Sequence, residues 1–101
     1  LAAAAAQLAR HAAETGELSH LGLDGASLAA RVRAAGYVFT VTAENFASGP
    51  ADTARVVTLW LDSPGHRRNM LDASFSQAGT GHVSAPDGDY WVLILAHPAD
   101  W

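Results

Sequence analysis

Gly79-Thr80-Gly81-His82-Val83-Ser84-Ala85-Pro86-Asp87-Gly88-Asp89-Tyr90-Trp91-Val92-Leu93-Ile94-Leu95-Ala96 is the stretch that decides the fold class of this chain. From Tyr90 to Ala96 it is continuously apolar, the pattern of a strand covered on both faces. The run from about Ala78 to Ser84 suits a second strand, and Pro86-Asp87-Gly88-Asp89 between them is a strong turn sequence. An antiparallel hairpin is expected, and its apolar strand needs a layer on each side.

The residues upstream supply those layers. Leu1 to about Thr15 is dominated by strong helix formers, with Leu1, Ala5, Leu8 and Ala12 at helical spacing and Gly16 as a natural stop. A second helix is predicted from about Ser27, its cap, to Ala35, ended by Gly36. From Tyr37 to Ala43 the pattern alternates, placing Tyr37, Phe39, Val41 and Ala43 on one face and Val38, Thr40 and Thr42 on the other. This predicts a half-buried strand with Glu44 following at its end. Pro50 then opens a third helix, with Asp52 in its first turn and Val56, Val57, Trp60 and Leu61 as its apolar stripe. A short fourth helix follows, with Ser63 as cap and Pro64 in its first position. The expected class is α+β: an α-β-α sandwich in which helices flank a small antiparallel sheet of about three strands.

Composition narrows the function. A chain of 101 residues fits one domain with a modest core. Because 22 residues are alanine, that core must rely on close approach of alanine-faced helices plus a few anchors: Phe39, Phe46, Trp60, Tyr90 and Trp91. A net charge of −4, with six arginines and no lysine, provides no broad basic surface and argues against a nucleic-acid partner. The absence of cysteine excludes disulfides, thiolate chemistry and cysteine-bound zinc. No apolar run is long enough to span a membrane.

Three phrases carry the chemistry. Trp60-Leu61-Asp62-Ser63-Pro64-Gly65-His66-Arg67-Arg68-Asn69 puts His66 in the first turn of the fourth helix, near the positive end of its dipole. A neutral imidazole there suits a metal or accepts a proton. The others are Leu18-Ser19-His20, closing on Asp24-Gly25, and Thr42-Ala43-Glu44-Asn45-Phe46. In this order and spacing, and followed by Phe75 and Gly79-Thr80-Gly81, they resemble the bacterial SCP-like branch of the CAP superfamily. That superfamily is named for cysteine-rich secretory proteins, antigen 5 and pathogenesis-related proteins. The resemblance runs from Leu1 to about His97.

The resemblance implies an α-β-α domain with a central cleft lined by two histidines and two glutamates, which in several members holds a divalent cation. His20, Glu44 and His66 match three of those four positions. The fourth would lie three residues after Trp60, where this chain has Ser63. Asp62 is adjacent but points elsewhere, about 100° around the helix. The implied cofactor is a divalent cation, zinc first, on His20, Glu44 and His66 with water completing the site. The resemblance also implies an extracellular or cell-envelope location. It makes residues 1–101 a single domain without the extra helix that members usually carry before the position of Leu1.

A binding module for a divalent cation or small polar ligand is the leading functional expectation. The alternative is a metal-dependent hydrolase of peptide or cell-wall material, with Glu44 as candidate base. A second alternative, a lipid-binding or protein-interaction domain, follows from relatives that bind lipids. The natural partner is thus an unidentified ligand or protein, with cell-wall and lipid components as candidates. The absence of a Gly-x-Ser-x-Gly elbow, with Ser63 occupied as a cap, argues against a serine hydrolase.

Each site residue also has a purely structural use. His20 can bridge the loop before the second helix, Glu44 can accept backbone N–H bonds, and His66 can hydrogen-bond to Glu44. Asn45 and Asn69 are expected to tie loop backbones together, and Trp60 belongs to the core. Asp24 reads as a turn residue near enough to His20 for a hydrogen bond. His11 is expected at the surface. His82 and His97, with no carboxylate phrase nearby, receive no role.

Overall fold

The apolar run beginning at Tyr90 is the centre of the sheet. In the computed structural model, which describes residues 1–22 and 25–99, the order of elements is α1 (Ala2–Thr15), α2 (Leu28–Ala34), β1 (Phe39–Gly49), α3 (Thr53–Leu61), α4 (Pro64–Leu71), β2 (Gln77–Ala85) and β3 (Gly88–Pro98). The strands are antiparallel in the order β1-β3-β2, so β3 has a neighbour on each side. Helices cover both faces, which is why β3 has no polar alternation. Ala85 pairs with Gly88, leaving Pro86 and Asp87 as the two-residue hairpin turn.

One face buries Val92 and Ile94 against Ala4, Ala5, Leu8 and Ala9 of α1 and Val32 of α2. The opposite face packs Leu93, with Trp91 and Leu95, against Val56 and Trp60 of α3. Contact on the first face is close because Gly79 and Gly81, opposite Ile94 and Val92, leave no side chain between β2 and α1. A Cβ at Gly81 would lie 2.5 Å from the backbone carbon and oxygen of Ala5. The alanine run of α1 and the glycines of β2 are therefore two halves of one contact.

Several local expectations are corrected. β1 does not end at Ala43: it continues to Gly49, so Glu44 and Asn45 sit within the strand. The apolar alternation breaks there because both residues are polar and buried, yet the pairing with β3 continues unbroken. The register shift between Phe39 and Val41 is a bulge, and the extra residue reverses the alternation. Phe39 packs toward the α1 face while Val41 is exposed, so the two do not share a face as predicted.

α3 starts at Thr53 rather than Pro50, and Asp52 is its N-cap, accepting the Ala54 N–H at 2.9 Å. Pro50 lies in the preceding loop, where its carbonyl accepts the Trp91 indole N–H at 2.6 Å. Ser63 occupies the N-cap position of α4, and its carbonyl accepts the Arg67 N–H, but its side chain makes no capping bond. Ser27 does cap α2, accepting from the Ala30 N–H at 3.2 Å. Among the described residues no helix is long and apolar enough to cross a membrane.

The hairpin end carries a measurable consequence. The Tyr90 hydroxyl donates to Asp87 at 2.6 Å, and that bond raises the phenol above the ordinary value of 10.0. A raised value in the folded state means that the neutral phenol contributes stability below pH 10 and loses it as pH climbs through the folded value. An absorbance titration is expected to show one late-ionising tyrosine that returns toward its ordinary range in Asp87→Ala. An unchanged titration in that variant would contradict the assignment.

Candidate functional site

Successive residues of a strand point to opposite faces, and at Glu44 and Asn45 this alternation ties β1 to both helical layers. Glu44 reaches toward α2, Asn45 toward α4. Because β1 is an edge strand, the two connections frame a cleft at the free edge of the sheet. The cleft is lined by His20, Glu44, Ser63, Gly65, His66, Arg68 and Asn69 and has a volume of about 350 Å³. The three candidate residues, far apart in sequence, thus border one space.

Their relations differ from the expected ones. The Glu44 side chain is 0% exposed, with both oxygens engaged. Arg31 Nη1 donates to Oε2 at 2.9 Å, Arg31 Nη2 to Oε1 at 3.1 Å, and His20 Nδ1 lies 3.0 Å from Oε1. His20 itself is 60% exposed, and its ring leans on Phe46 with centroids 4.4 Å apart. His66 does not bond to Glu44. Its carbonyl accepts the Asn45 side-chain N–H at 3.1 Å, and Asn69 donates to Asn45 Oδ1 at 3.0 Å. Asn45 and Asn69 therefore tie strand to helix rather than loop to loop.

Arg31 is the site residue that sequence reasoning missed, although a signal existed. Leu28, Arg31 and Val32 recur at the spacing of the core-facing stripe of α2, and a charged residue in such a stripe requires a buried partner. Glu44 is that partner. Trp60 lies in the core as expected, and its indole N–H donates to the Phe46 carbonyl at 3.0 Å.

Other histidines depart from expectation. His82 does have a carboxylate, Asp89, at 2.7 Å, and its ring stacks on Trp91 with centroids 3.6 Å apart. The two residues approach across the hairpin, a juxtaposition that sequence separation conceals. His97 Nδ1 meets the Ser76 hydroxyl at 2.8 Å, and His11 is half-buried rather than exposed. Asp24 lies outside the described residues.

For a divalent cation, the donor set is the test. Among the described residues no three His, Asp or Glu side chains are gathered as an ion site. With both Glu44 oxygens held by guanidinium and imidazole donors, the expected triple of His20, Glu44 and His66 is not assembled as ligands. The cleft offers two imidazoles at most. Glu44 is enclosed and both its oxygens already accept hydrogen bonds, a poor setting for the candidate base of the hydrolase alternative. Ser63 lines the cleft, and its side chain makes no capping bond.

Residues 1–95 match the pattern of the family described as "Cysteine-rich secretory protein family". The chain belongs to the cysteine-rich secretory protein family. Its relatives are bacterial. It is 35% identical to the uncharacterised protein YkwD of Bacillus subtilis over 57 residues, which are 56% of this chain but 21% of YkwD. An SCP-domain extracellular protein of Bacillus anthracis superposes with a TM-score of 0.84 at 24% identity, over 95% of this chain and 31% of that one. An outer surface protein of Borrelia burgdorferi superposes with a TM-score of 0.87 at 24% identity, over 96% of this chain and 72% of that one. The α+β fold, with four helices and a three-stranded antiparallel sheet among the described residues, is thus shared with these solved structures, while this chain spans less than a third of the Bacillus proteins.

Proposed function

We propose that this family domain is an extracellular or cell-envelope binding module whose edge cleft takes a small polar ligand or a divalent cation between His20 and His66. The carrying observation is the exposed His20 ring held against a buried Glu44–Arg31 pair. Burying two charges costs several kcal/mol per ion, and apolar residues of similar volume serve stability as well or better. The arrangement makes sense where it positions the one member that reaches the surface. A cation at this cleft would rest on two imidazoles and water, with Glu44 orienting His20 rather than ligating. The location is supported by the Bacillus anthracis and Borrelia relatives, an extracellular protein and an outer surface protein.

Calorimetric zinc titration of wild type and the His20→Ala/His66→Ala double variant tests this reading. Weak to moderate binding that disappears in the variant is the expected outcome. Zinc binding that survives in the double variant would move the cation away from the cleft. If folded wild type takes no zinc, the polar-ligand form is tested by ring signals of His20 and His66 under a panel of amino acids, sugars and phosphates. Silence of both rings throughout would sink the binding-module reading.

A different recess favours the apolar-ligand alternative. Between α3 and the sheet, Val56, Val57, Trp60, Met70, Trp91 and Leu93 help line a cavity of about 370 Å³. Ligand held there should be retained after both histidine substitutions, which separates the two readings in one experiment.

A further inference from the structure

We infer that Arg31 is the positioning residue of the cleft, setting both the place of the His20 backbone and the tautomer of its ring. Four donor contacts from one guanidinium carry the argument. Besides its two bonds to Glu44, Nη2 donates to the His20 carbonyl at 2.7 Å and Nε to the Ala26 carbonyl at 3.2 Å. One side chain on α2 thereby joins β1 to the connection between α1 and α2, which carries His20. Among the described residues, the Gly22 N–H donates to the Ala26 carbonyl and the Gly25 N–H to the Gly22 carbonyl, and the Ser19 hydroxyl exchanges hydrogen bonds with the Leu21 backbone, all inside that connection. They give it shape but do not dock it.

The ring follows from the same clamp. A carboxylate facing a guanidinium through both oxygens can only accept, so the His20 Nδ1 beside Oε1 must carry the hydrogen. In the neutral imidazole the lone pair then belongs to Nε2, on a side chain that is 60% exposed. An imidazole presented in this way is suited to accept a proton or ligate a cation. Lysine cannot reproduce the effect, because a single ammonium cannot span two carboxylate oxygens and two carbonyls in fixed directions. Gly22 completes the seat: a Cβ there would lie 2.5 Å from Arg31 Cδ, so the connection crosses the arginine stem at a residue without a side chain.

Long-range proton–nitrogen NMR of the His20 ring in the ligand-free domain is the test, at about pH 8, where an ordinary imidazole is neutral. Wild type should show the Nδ1–H form. In Arg31→Lys it should drift toward the Nε2–H form that an unconstrained side chain prefers, with amide dispersion reporting that the fold persists. Gly22→Ala, which crowds the arginine without removing a polar group, should drift the same way. An Nε2–H ring in wild type would overturn the proposal without any variant, and so would a folded Arg31→Lys that keeps Nδ1–H. The ligand arm alone rests on the cleft being a binding site: zinc affinity is expected to fall about 10–100-fold in Arg31→Lys. Failure of wild type to bind zinc removes that arm and leaves the tautomer result to decide the role of Arg31.

Discussion

Glu44→Ala is expected to destabilise the domain by about 3–5 kcal/mol, because it leaves the Arg31 guanidinium buried without its counter-charge. Arg31 is 5% exposed and Glu44 fully enclosed, so neither charge regains water unless the fold opens. At about 4–8 °C per kcal/mol for a domain near this size, the loss should lower the melting temperature by roughly 12–40 °C. The paired replacement Arg31→Met/Glu44→Leu should cost far less, since it removes both charges together. Urea unfolding of the three proteins checks the argument. If Glu44→Ala and the paired variant lose similar stability, the penalty is one of packing and the desolvated-charge explanation is wrong.

Gly81→Val is the second large effect. The added Cβ would meet the Ala5 carbonyl carbon and oxygen at 2.5 Å, and these are backbone atoms of a packed helix that cannot rotate aside. Overfilling a core with a movable side chain costs about 1–3 kcal/mol. Here the whole of α1 must lift from β2, so the cost should exceed that range and expose the alanine face of the helix. Gly65→Ala is the matched control, since nothing lies within 4 Å of a Cβ there and the residue is inside α4. It should be neutral or stabilising by up to about 1 kcal/mol. Equal unfolding midpoints for Gly81→Val and Gly65→Ala would refute the close-contact account of the α1 face.

The helices were legible where capping and spacing agree. Gly16 ends α1 and Ser27 caps α2 as their sequence neighbourhoods predict. β1 was read short for a physical reason. Strand periodicity detects burial of apolar residues, and Glu44 and Asn45 are buried polar residues satisfied by hydrogen bonds to Arg31 of α2 and the His66 carbonyl of α4. Asp52 was read one turn too deep because proline and aspartate both favour helix starts. The tie is broken by the Ala54 N–H, which finds the aspartate. His82 and Asp89 could not be paired before the hairpin register, with Trp91 opposite His82 and Ser84 opposite Asp89, set them diagonally across the two strands.

Sequence alone determined the element types, the layered α+β class and the central place of the Tyr90–Ala96 run, and the family resemblance carried by its motifs implied one cleft for His20, Glu44 and His66. All of these rest on local propensity, periodicity or ordered motifs, which survive in a linear chain. Only the tertiary structure decided what each residue does there. It turned Glu44 from an expected ligand into the anchor of a buried ion pair, brought in Arg31, and left His20 rather than Glu44 facing outward. Such roles depend on which atoms desolvate one another. That depends in turn on the approach of α2, β1 and α4 around a sheet edge, a geometry that no spacing along the chain encodes.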